Sequence, residues 1–173
     1  MNPLEKIERV SIFKDEFYAG EENECLITTV LNYLKITGSS KEYVSSVKRK
    51  FDSHHKNMKP GVSIEWLPKV LEDIVGDKFD VEISALIKKR KLQLFPEETR
   101  SKFKLLKPNT TYQVPNPTII IDCINENQLH AYVLLCSSDA IIDSDGCIKN
   151  SSLYKNTTGF VKLTPKENIE AKK

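Results

Sequence analysis

The 173-residue sequence lacks any stretch of about 20 apolar residues, the length that a membrane-spanning helix requires. Its opening, MNPLEKIERV, also lacks the apolar segment of a secretory leader. These absences predict a cytoplasmic protein with no membrane partner. The Asn-x-Ser/Thr sequons at Asn109, Asn150 and Asn156 are then expected to have no glycosylation role, since that modification belongs to secreted chains.

An excess of charge of one sign is also absent, because 26 basic and 24 acidic side chains leave a net charge of +2. The total charge therefore gives no reason to expect a nucleic-acid partner. One basic run, KKRK from Lys88 to Lys91, is interpreted as a solvated helix face rather than a phosphate-binding patch.

Cysteine pairs with metal-binding spacing are missing as well. The four cysteines form no CxxC pair, and no histidine stands at zinc-finger spacing from them. We therefore expect no metal site and no cofactor, and in a reducing compartment no stable disulfide. The cysteines are Cys25, Cys123, Cys136 and Cys147.

The overall composition is that of an ordinary globular protein, with 39% hydrophobic and 29% charged residues. A chain of this length can bury a sizeable core without metal or disulfide support. We expect one domain over residues 1–173, with a polar tail that frays from about position 165.

Three helices are predicted in the first half of the chain. The first spans 23–36, where apolar residues recur at core-facing spacing, and Gly38 ends it. A capping box of Ser39 with Glu42 is predicted to open a second helix over 40–51. The third helix runs from Ser63 to Gly76, and Pro68 leaves its exact start open.

Two details of these helices bear on function. Trp66 is assigned to the apolar face of the third helix. His54 and His55 are placed in a loop after the second, where two adjacent side chains do not face the same way, so no metal role is assigned to them.

The second half of the chain is rich in predicted strands. The runs TIIIDCI, LHAYVLLCS, AIID and TGFVKLTP are apolar or β-branched, and short turns join the first three. We predict an antiparallel sheet and an α+β fold, with N-terminal helices packed against a C-terminal sheet. Residues 7–13 fit a short strand. Within 77–115, VEISALIKKRK fits a strand that turns into a helix, and the rest reads as a long connection with no assigned role.

Cys25 is the first candidate functional residue, because it falls in the first turn of the first predicted helix. Unpaired N–H groups and the positive end of the helix dipole favour a thiolate there. Such a cysteine is activated as a nucleophile. The alternative interpretation is a small buried side chain on the helix face.

His130 and Asp143 are the other two candidates. His130 stands near the start of a predicted strand downstream of Cys25, and Asp143 closes the next strand. Alone, His130 fits a rim histidine and Asp143 a turn residue. In the order thiol, imidazole, carboxylate, they match a nucleophilic triad. Because side chains alternate along strands, His130 and Asp143 share a face only if the loop between their strands has an even number of residues. Asp145 has the same parity and is the reserve acid.

Together these features resemble the papain-like cysteine peptidases, and within them the C39-like, bacteriocin-processing peptidase domain. The resemblance rests on Glu24-Cys25, the apolar helix that follows, the segment PGVSIEWLPKVLEDI, and His130 with its apolar strand, and it covers about residues 17–147. It implies a papain-like fold with Cys25 as nucleophile, His130 as general base and Asp143 as the acid that orients it.

The sequence departs from that family at the oxyanion hole. The family has a Gln donor six residues before the nucleophile, where Ala19 stands here. Of the nearby residues Glu22 and Asn23, an ionised Glu22 accepts hydrogen bonds only, whereas Asn23 can donate if the loop is rearranged.

Three functions remain open at this point. One is a thiol hydrolase that acts on a peptide or isopeptide bond of a peptide or protein substrate. A second is a catalytically impaired module of the same fold that binds a peptide or protein. The third is an acyltransferase that uses the same three residues. The sequence does not distinguish them, and it leaves the oligomeric state open.

Overall fold

The computed structural model describes residues 17–20, 24–55, 62–108, 112–125, 128–135, 140–150 and 158–166. The strand predicted at 7–13 and the residues Glu22 and Asn23 lie outside these ranges. So does the part of the predicted polar tail beyond residue 166.

The described residues form five α-helices and one seven-stranded sheet. The helices are α1 (Cys25–Ile36), α2 (Lys41–His55), α3 (Leu67–Val75), α4 (Lys89–Leu92) and α5 (Glu97–Arg100), with a 3₁₀ turn at Ile64–Trp66. The strands are β1 (Phe79–Ala85), β2 (Phe103–Leu105), β3 (Thr118–Asn125), β4 (Gln128–Leu135), β5 (Ala140–Ile142), β6 (Ile148–Asn150) and β7 (Gly159–Pro165).

The first helix follows its prediction closely. Helix α1 begins at Cys25, so the thiol lies in the first turn. At the other end the N–H of Ser39 donates to the carbonyl of Leu34 at 2.9 Å, and the N–H of Gly38 donates to Lys35 at 3.2 Å. Gly38 has a φ of 91°. This pair of bonds is a Schellman motif, and glycine fits its left-handed position without a Cβ penalty.

Helix α2 differs from its prediction at both ends. The cap is Ser40 rather than Ser39, because the Ser40 hydroxyl accepts the N–H of Tyr43 at 3.1 Å. The helix also continues to His55, so the loop predicted for His54 and His55 is wrong. The physical reason is that His55 follows Phe51 by four residues, and its ring packs 5.8 Å from the Phe51 ring on the buried face.

The start of the third helix explains why the assignment of Trp66 to the apolar face is wrong. Residues 64–66 form a 3₁₀ turn, and the α-helix begins at Leu67 with Pro68 in its first turn, where no backbone donor is needed. A 3₁₀ turn has three residues per turn, so the α-helical spacing does not extend back to Trp66. Trp66 is 47% exposed and does not belong to the apolar face.

The sheet is mixed, which corrects the predicted antiparallel sheet. Its strand order is β2-β1-β7-β3-β4-β5-β6. Every neighbouring pair is antiparallel except β1 and β2, which are parallel because α4 and α5 form the crossover between them. VEISALIKKRK is a strand followed by a helical turn, as predicted, and the connection beyond it adds β2. The α+β class is confirmed, although β1 and β2 precede the predicted sheet.

Helices α1 to α3 pack against one face of this sheet and enclose the main core with Ile83, Ile119 and Val161. The opposite face carries a smaller cluster of Ile120, Tyr132 and Ile141. Since alternate residues of β4 point to opposite faces, His130 belongs to the face of Tyr132. Helix α1, which begins at Cys25, packs against β4. The His130 side chain on that strand faces away from the main core.

Candidate active site

Two side-chain hydrogen bonds fix the start of α1 along β4. The thiol of Cys25 donates to the carbonyl of Leu129 at 3.3 Å. One turn further, the hydroxyl of Thr29 donates to the carbonyl of Ala131 at 2.9 Å. Both acceptors flank His130 in the chain, so these bonds place Cys25 beside the histidine. Cys25 is 7% exposed.

The hairpin of β4 and β5 meets the parity condition for His130 and Asp143. Leu135 pairs with Ala140, so the connecting loop holds residues 136–139, an even number. The two candidate side chains therefore share a face, and Nε2 of His130 lies 2.7 Å from Oδ1 of Asp143. Asp143 is buried, with 4% of its surface exposed.

His130 also contacts the thiol, and the two contacts together control its charge. The hydrogen bond with Asp143, and after it the side-chain hydrogen bond with Cys25, raise the pKa of His130 from 6.5 to about 10, against the lowering effect of burial. Because Nε2 engages Asp143, the remaining ring nitrogen is the one available to the thiol. His130 is thus an imidazolium at neutral pH, set between a carboxylate and a thiol.

The reserve acid, Asp145, occupies a different position. It accepts the N–H of Cys147 at 2.9 Å, and its other oxygen lies 2.9 Å from the ammonium of Lys149. The structure therefore brings Asp143, and not Asp145, into hydrogen-bond contact with His130.

Two charged residues of the site were missed by sequence reasoning. Asp122 lies directly opposite His130 in the β3–β4 register and accepts the hydroxyl of Tyr132 at 3.4 Å. Burial raises the pKa of Asp122. In the sequence, Asp122 could have been recognised as the single acidic residue inside the apolar run TIIIDCI, since a buried acid is rare. Lys149 lies 2.8 Å from Oδ2 of Asp143, and it escaped notice because β6 has only three residues.

The segment before the nucleophile is held against the turn that follows Asp143. Asn32 of α1 is fully buried, and its side-chain amide accepts the N–H of Tyr18 at 2.7 Å and donates to the carbonyl of Tyr18 at 3.1 Å. The N–H of Gly20 donates to the carbonyl of Ser144 at 2.9 Å. Ala19 thus lies between α1 and the Asp143 turn.

Among the described residues, the backbone at the start of α1 offers donors for an oxyanion. Ala19 offers no side-chain donor, and Glu22 and Asn23 lie outside the described residues. The first turn of α1 leaves N–H groups without a partner in the helix, and that of Cys25 is the nearest to the sulfur. Within the described ranges, no three His, Cys, Asp or Glu side chains group in a way that could hold a metal ion.

No helix in the described part of the chain is long and apolar enough to cross a membrane. Comparisons with protein-family models, with curated proteins and with solved structures found no match for this chain.

Proposed function

We propose that the protein is a thiol hydrolase of the papain-like type that acts on a peptide or isopeptide bond of a peptide or protein substrate. One observation carries the proposal: a single imidazole, His130, is hydrogen-bonded both to the buried carboxylate of Asp143 and to the thiol of Cys25 at a helix N-terminus. The three residue types, their order and their contacts are those of a nucleophilic triad.

The chemistry follows from these contacts. In the reactive form Cys25 is a thiolate and His130 carries the proton that the thiol has lost. The thiolate sulfur attacks the carbonyl carbon and forms the C–S bond, while the C=O π electrons move to the oxygen as negative charge. The imidazolium of His130 then gives its proton to the leaving amine as the C–N bond breaks. Neutral His130 next takes a proton from water while the water oxygen attacks the thioester carbon. The C–S bond then breaks, which releases the carboxylic acid and returns the Cys25 thiolate beside the His130 imidazolium. Asp143 orients the ring in both halves of this cycle.

The backbone at the start of α1 stabilises the charged species. The N–H of Cys25 and the positive end of the helix dipole lie next to the sulfur and to the position of a developing oxyanion. A cavity of about 350 Å³ lies on the same face of the sheet as His130, but none of Cys25, His130 and Asp143 lines it, so we do not assign it to the substrate. Its walls include Tyr112, Ile120, Leu134 and Phe160.

A second candidate, a binding module with impaired catalysis, is favoured by Ala19. Loss of one oxyanion donor costs roughly 2.7–4 kcal/mol of transition-state stabilisation, which slows an enzyme without abolishing its chemistry. Hydrolysis of fluorogenic peptide or isopeptide substrates that disappears in Cys25→Ala, and persists in Cys147→Ala, would decide against the binding module. Added amine acceptors in the same assay would separate acyl transfer from hydrolysis.

The proposal is tested by the alkylation rates of two cysteines in one chain. Cys147 is exposed, whereas Cys25 is buried, so accessibility alone favours Cys147. If His130 activates Cys25, iodoacetamide should label Cys25 roughly tenfold faster than Cys147 at pH 7. Peptide mass spectrometry after timed quenching measures both rates in the same sample.

Two variants complete the experiment. His130→Ala should bring the Cys25 rate below that of Cys147, whereas the exposed His54, replaced by Ala, serves as the matched control and should change neither rate. Faster labelling of Cys147 in the parent protein, or an unchanged Cys25 rate in His130→Ala, would count against an activated thiol.

A further inference from the structure

Lys149 makes two ion pairs at the triad that the hydrolytic mechanism does not use. Its ammonium lies 2.8 Å from Oδ2 of Asp143 and 2.9 Å from Oδ2 of Asp145. Strand β6 places it there, because Lys149 pairs with Ile141 and therefore lies on the same face of the sheet as Asp143, two residues after Ile141. The lysine thus holds the carboxylate oxygen of Asp143 opposite the one that contacts His130.

The burial of Asp143 gives this contact a role. Its side chain is only 5% exposed, and a buried carboxylate is stable as an anion only when an opposite charge or several donors face it. While His130 is an imidazolium, it supplies one such charge. After His130 has given its proton to a leaving group, that charge is gone, and Lys149 still faces Asp143.

The other ionisable groups around the pair do not substitute for Lys149. Cys25 of α1, Asp122 of β3 and Asp145 of the turn are acids, and the hydroxyl of Tyr132 on β4 is directed to Asp122. The backbone N–H of Ser144 donates to Oδ1 of Asp143 at 2.8 Å, which orients that oxygen but adds no full charge.

On the premise of the triad described above, we propose that Lys149 is a positioning residue: it is the permanent counter-ion that keeps Asp143 ionised and in place while His130 is neutral. Asp145 is a second anion that Lys149 pairs with, on the exposed side of the turn. The lysine therefore acts on the histidine through the carboxylate and does not touch the reacting atoms.

The charge argument predicts the direction of one measurable effect. Without the ammonium, loss of the proton from His130 would leave the buried Asp143 anion without the positive charge that lies 2.8 Å from its Oδ2. His130 should then hold its proton more tightly. Because the N–H of Ser144 still fixes Oδ1, Lys149→Met removes the charge without releasing the carboxylate.

The test is a pH titration of His130 by NMR in a Cys25→Ala background. This background removes the contribution of the thiol and brings the titration within a range that is convenient to measure. Lys149→Met should raise the midpoint by on the order of one pH unit, whereas Lys149→Arg, which keeps the charge, should leave it near the parent value. A His130→Ala spectrum assigns the signal among the three histidines.

A second variant guards against failure of Lys149→Met to fold. Asp145→Asn removes an anion at a half-exposed position and leaves Lys149 to Asp143, so the His130 midpoint should fall or stay unchanged. The proposal is overturned by a midpoint that stays constant or falls in Lys149→Met, by Lys149→Arg behaving like Lys149→Met, or by a rise in Asp145→Asn.

The titration needs no turnover, so it separates this inference from the proposed hydrolysis. If the His130 midpoint shifts as predicted but no substrate is hydrolysed, the proposed role of Lys149 is supported and the proposed hydrolase is contradicted. If hydrolysis is found, Lys149→Met should lower kcat more than it lowers the alkylation rate of Cys25, since only turnover passes through neutral His130. Equal effects on both rates would indicate a general structural defect instead.

Discussion

The charge of His130 is decided by its hydrogen bonds rather than by its burial. Desolvation alone favours the neutral ring, yet the contacts with Asp143 and Cys25 outweigh it and raise the pKa to about 10. His55 shows the opposite balance, because burial lowers its pKa even though Asp73 lies 3.3 Å away. The carboxylate oxygen lies 2.7 Å from Nε2 of His130 and 3.3 Å from Nε2 of His55, which makes no hydrogen bond within the described part of the chain, so the compensating interaction is weaker at His55.

The raised pKa predicts how the stability of the protein depends on pH. The folded state binds the His130 proton more tightly than the unfolded chain, whose histidine titrates near 6.5. The resulting stabilisation is complete below pH 6.5 and is lost as the pH rises toward about 10. Urea unfolding of the parent and of His130→Ala at intervals across this window should show the difference in unfolding free energy shrinking.

His54→Ala is the control for that experiment, because His54 is an exposed histidine at the end of α2. It should keep the loss of stability between pH 6.5 and about 10 that His130 contributes. A difference between the parent and His130→Ala that stays constant, or that grows from pH 6.5 to pH 10, would show that the imidazolium adds nothing to folding.

Candidate site residues could be predicted from the sequence when their residue type is uncommon or when their order along the chain matches a known kind of site. Cys25, His130 and Asp143 fall in this group, and the structure brings them together. Lys149 and Asn32 do not, because lysine and asparagine occur everywhere on protein surfaces. Only the pairing of β6 with β5 puts Lys149 beside a buried carboxylate.

At the scale of elements, the candidate site depends on a tight turn as much as on α1. The turn between β5 and β6 contains Gly146, which has a φ of 80°, and a Cβ there would lie 3.4 Å from the Ala19 methyl and from the Tyr18 carbonyl oxygen. The turn that carries Asp143 and the segment before Cys25 are therefore packed together.

Gly146→Ala and Gly38→Ala form a matched pair that tests this packing. Both place an L residue at positive φ, which costs about 1–2 kcal/mol of stability. A Cβ at Gly38 meets nothing within 4 Å, whereas Gly146 belongs to the turn that carries Asp143 and lies against Ala19. The strain in Gly146→Ala therefore acts on the candidate site, and only this variant should also lower the alkylation rate of Cys25. Urea unfolding and timed alkylation measure the two effects. Equal alkylation rates in both variants would argue that the turn and the segment are independent.

The boundaries of helices could be predicted from the sequence where a residue within one turn of the boundary determines it. Gly38 ended α1 and Pro68 stood in the first turn of α3 because both effects act within one turn of backbone. The extension of α2 to His55 depended instead on tertiary burial of its last turn. Strand β6 has three residues, too few for an alternating pattern to be read.

At the scale of the whole molecule, the order of the strands in the sheet could not be predicted from local sequence patterns. The last strand of the chain, β7, lies between β1 and β3 and so joins the β2-β1 pair to the four strands that carry His130 and Lys149. Neither this insertion nor the parallel pairing of β1 with β2 has a signal at short range. Both depend on which strand edges find each other in the folded state.

The role of β7 as the link between the two parts of the sheet can be tested at Gly159. This residue pairs with Ala85, and a Cβ there would lie 2.1 Å from the carbonyl oxygen of Ser84 and 2.8 Å from Cα of Ala85. Because these are backbone atoms of β1, which cannot yield as a flexible side chain can, Gly159→Ala should destabilise the protein by about 3 kcal/mol. Lys162→Ala, at an exposed position of the same strand, should change little.

The measurement is urea unfolding followed both by circular dichroism and by the reactivity of Cys25. If β7 holds one cooperative sheet, both probes should shift together in Gly159→Ala, although Cys25 lies on α1 and packs against β4. A dichroism transition that moves while the Cys25 transition stays in place would mean that the triad and its helix form a unit independent of β1 and β2. The close approach of two backbones at Gly159 would then affect only one side of the sheet.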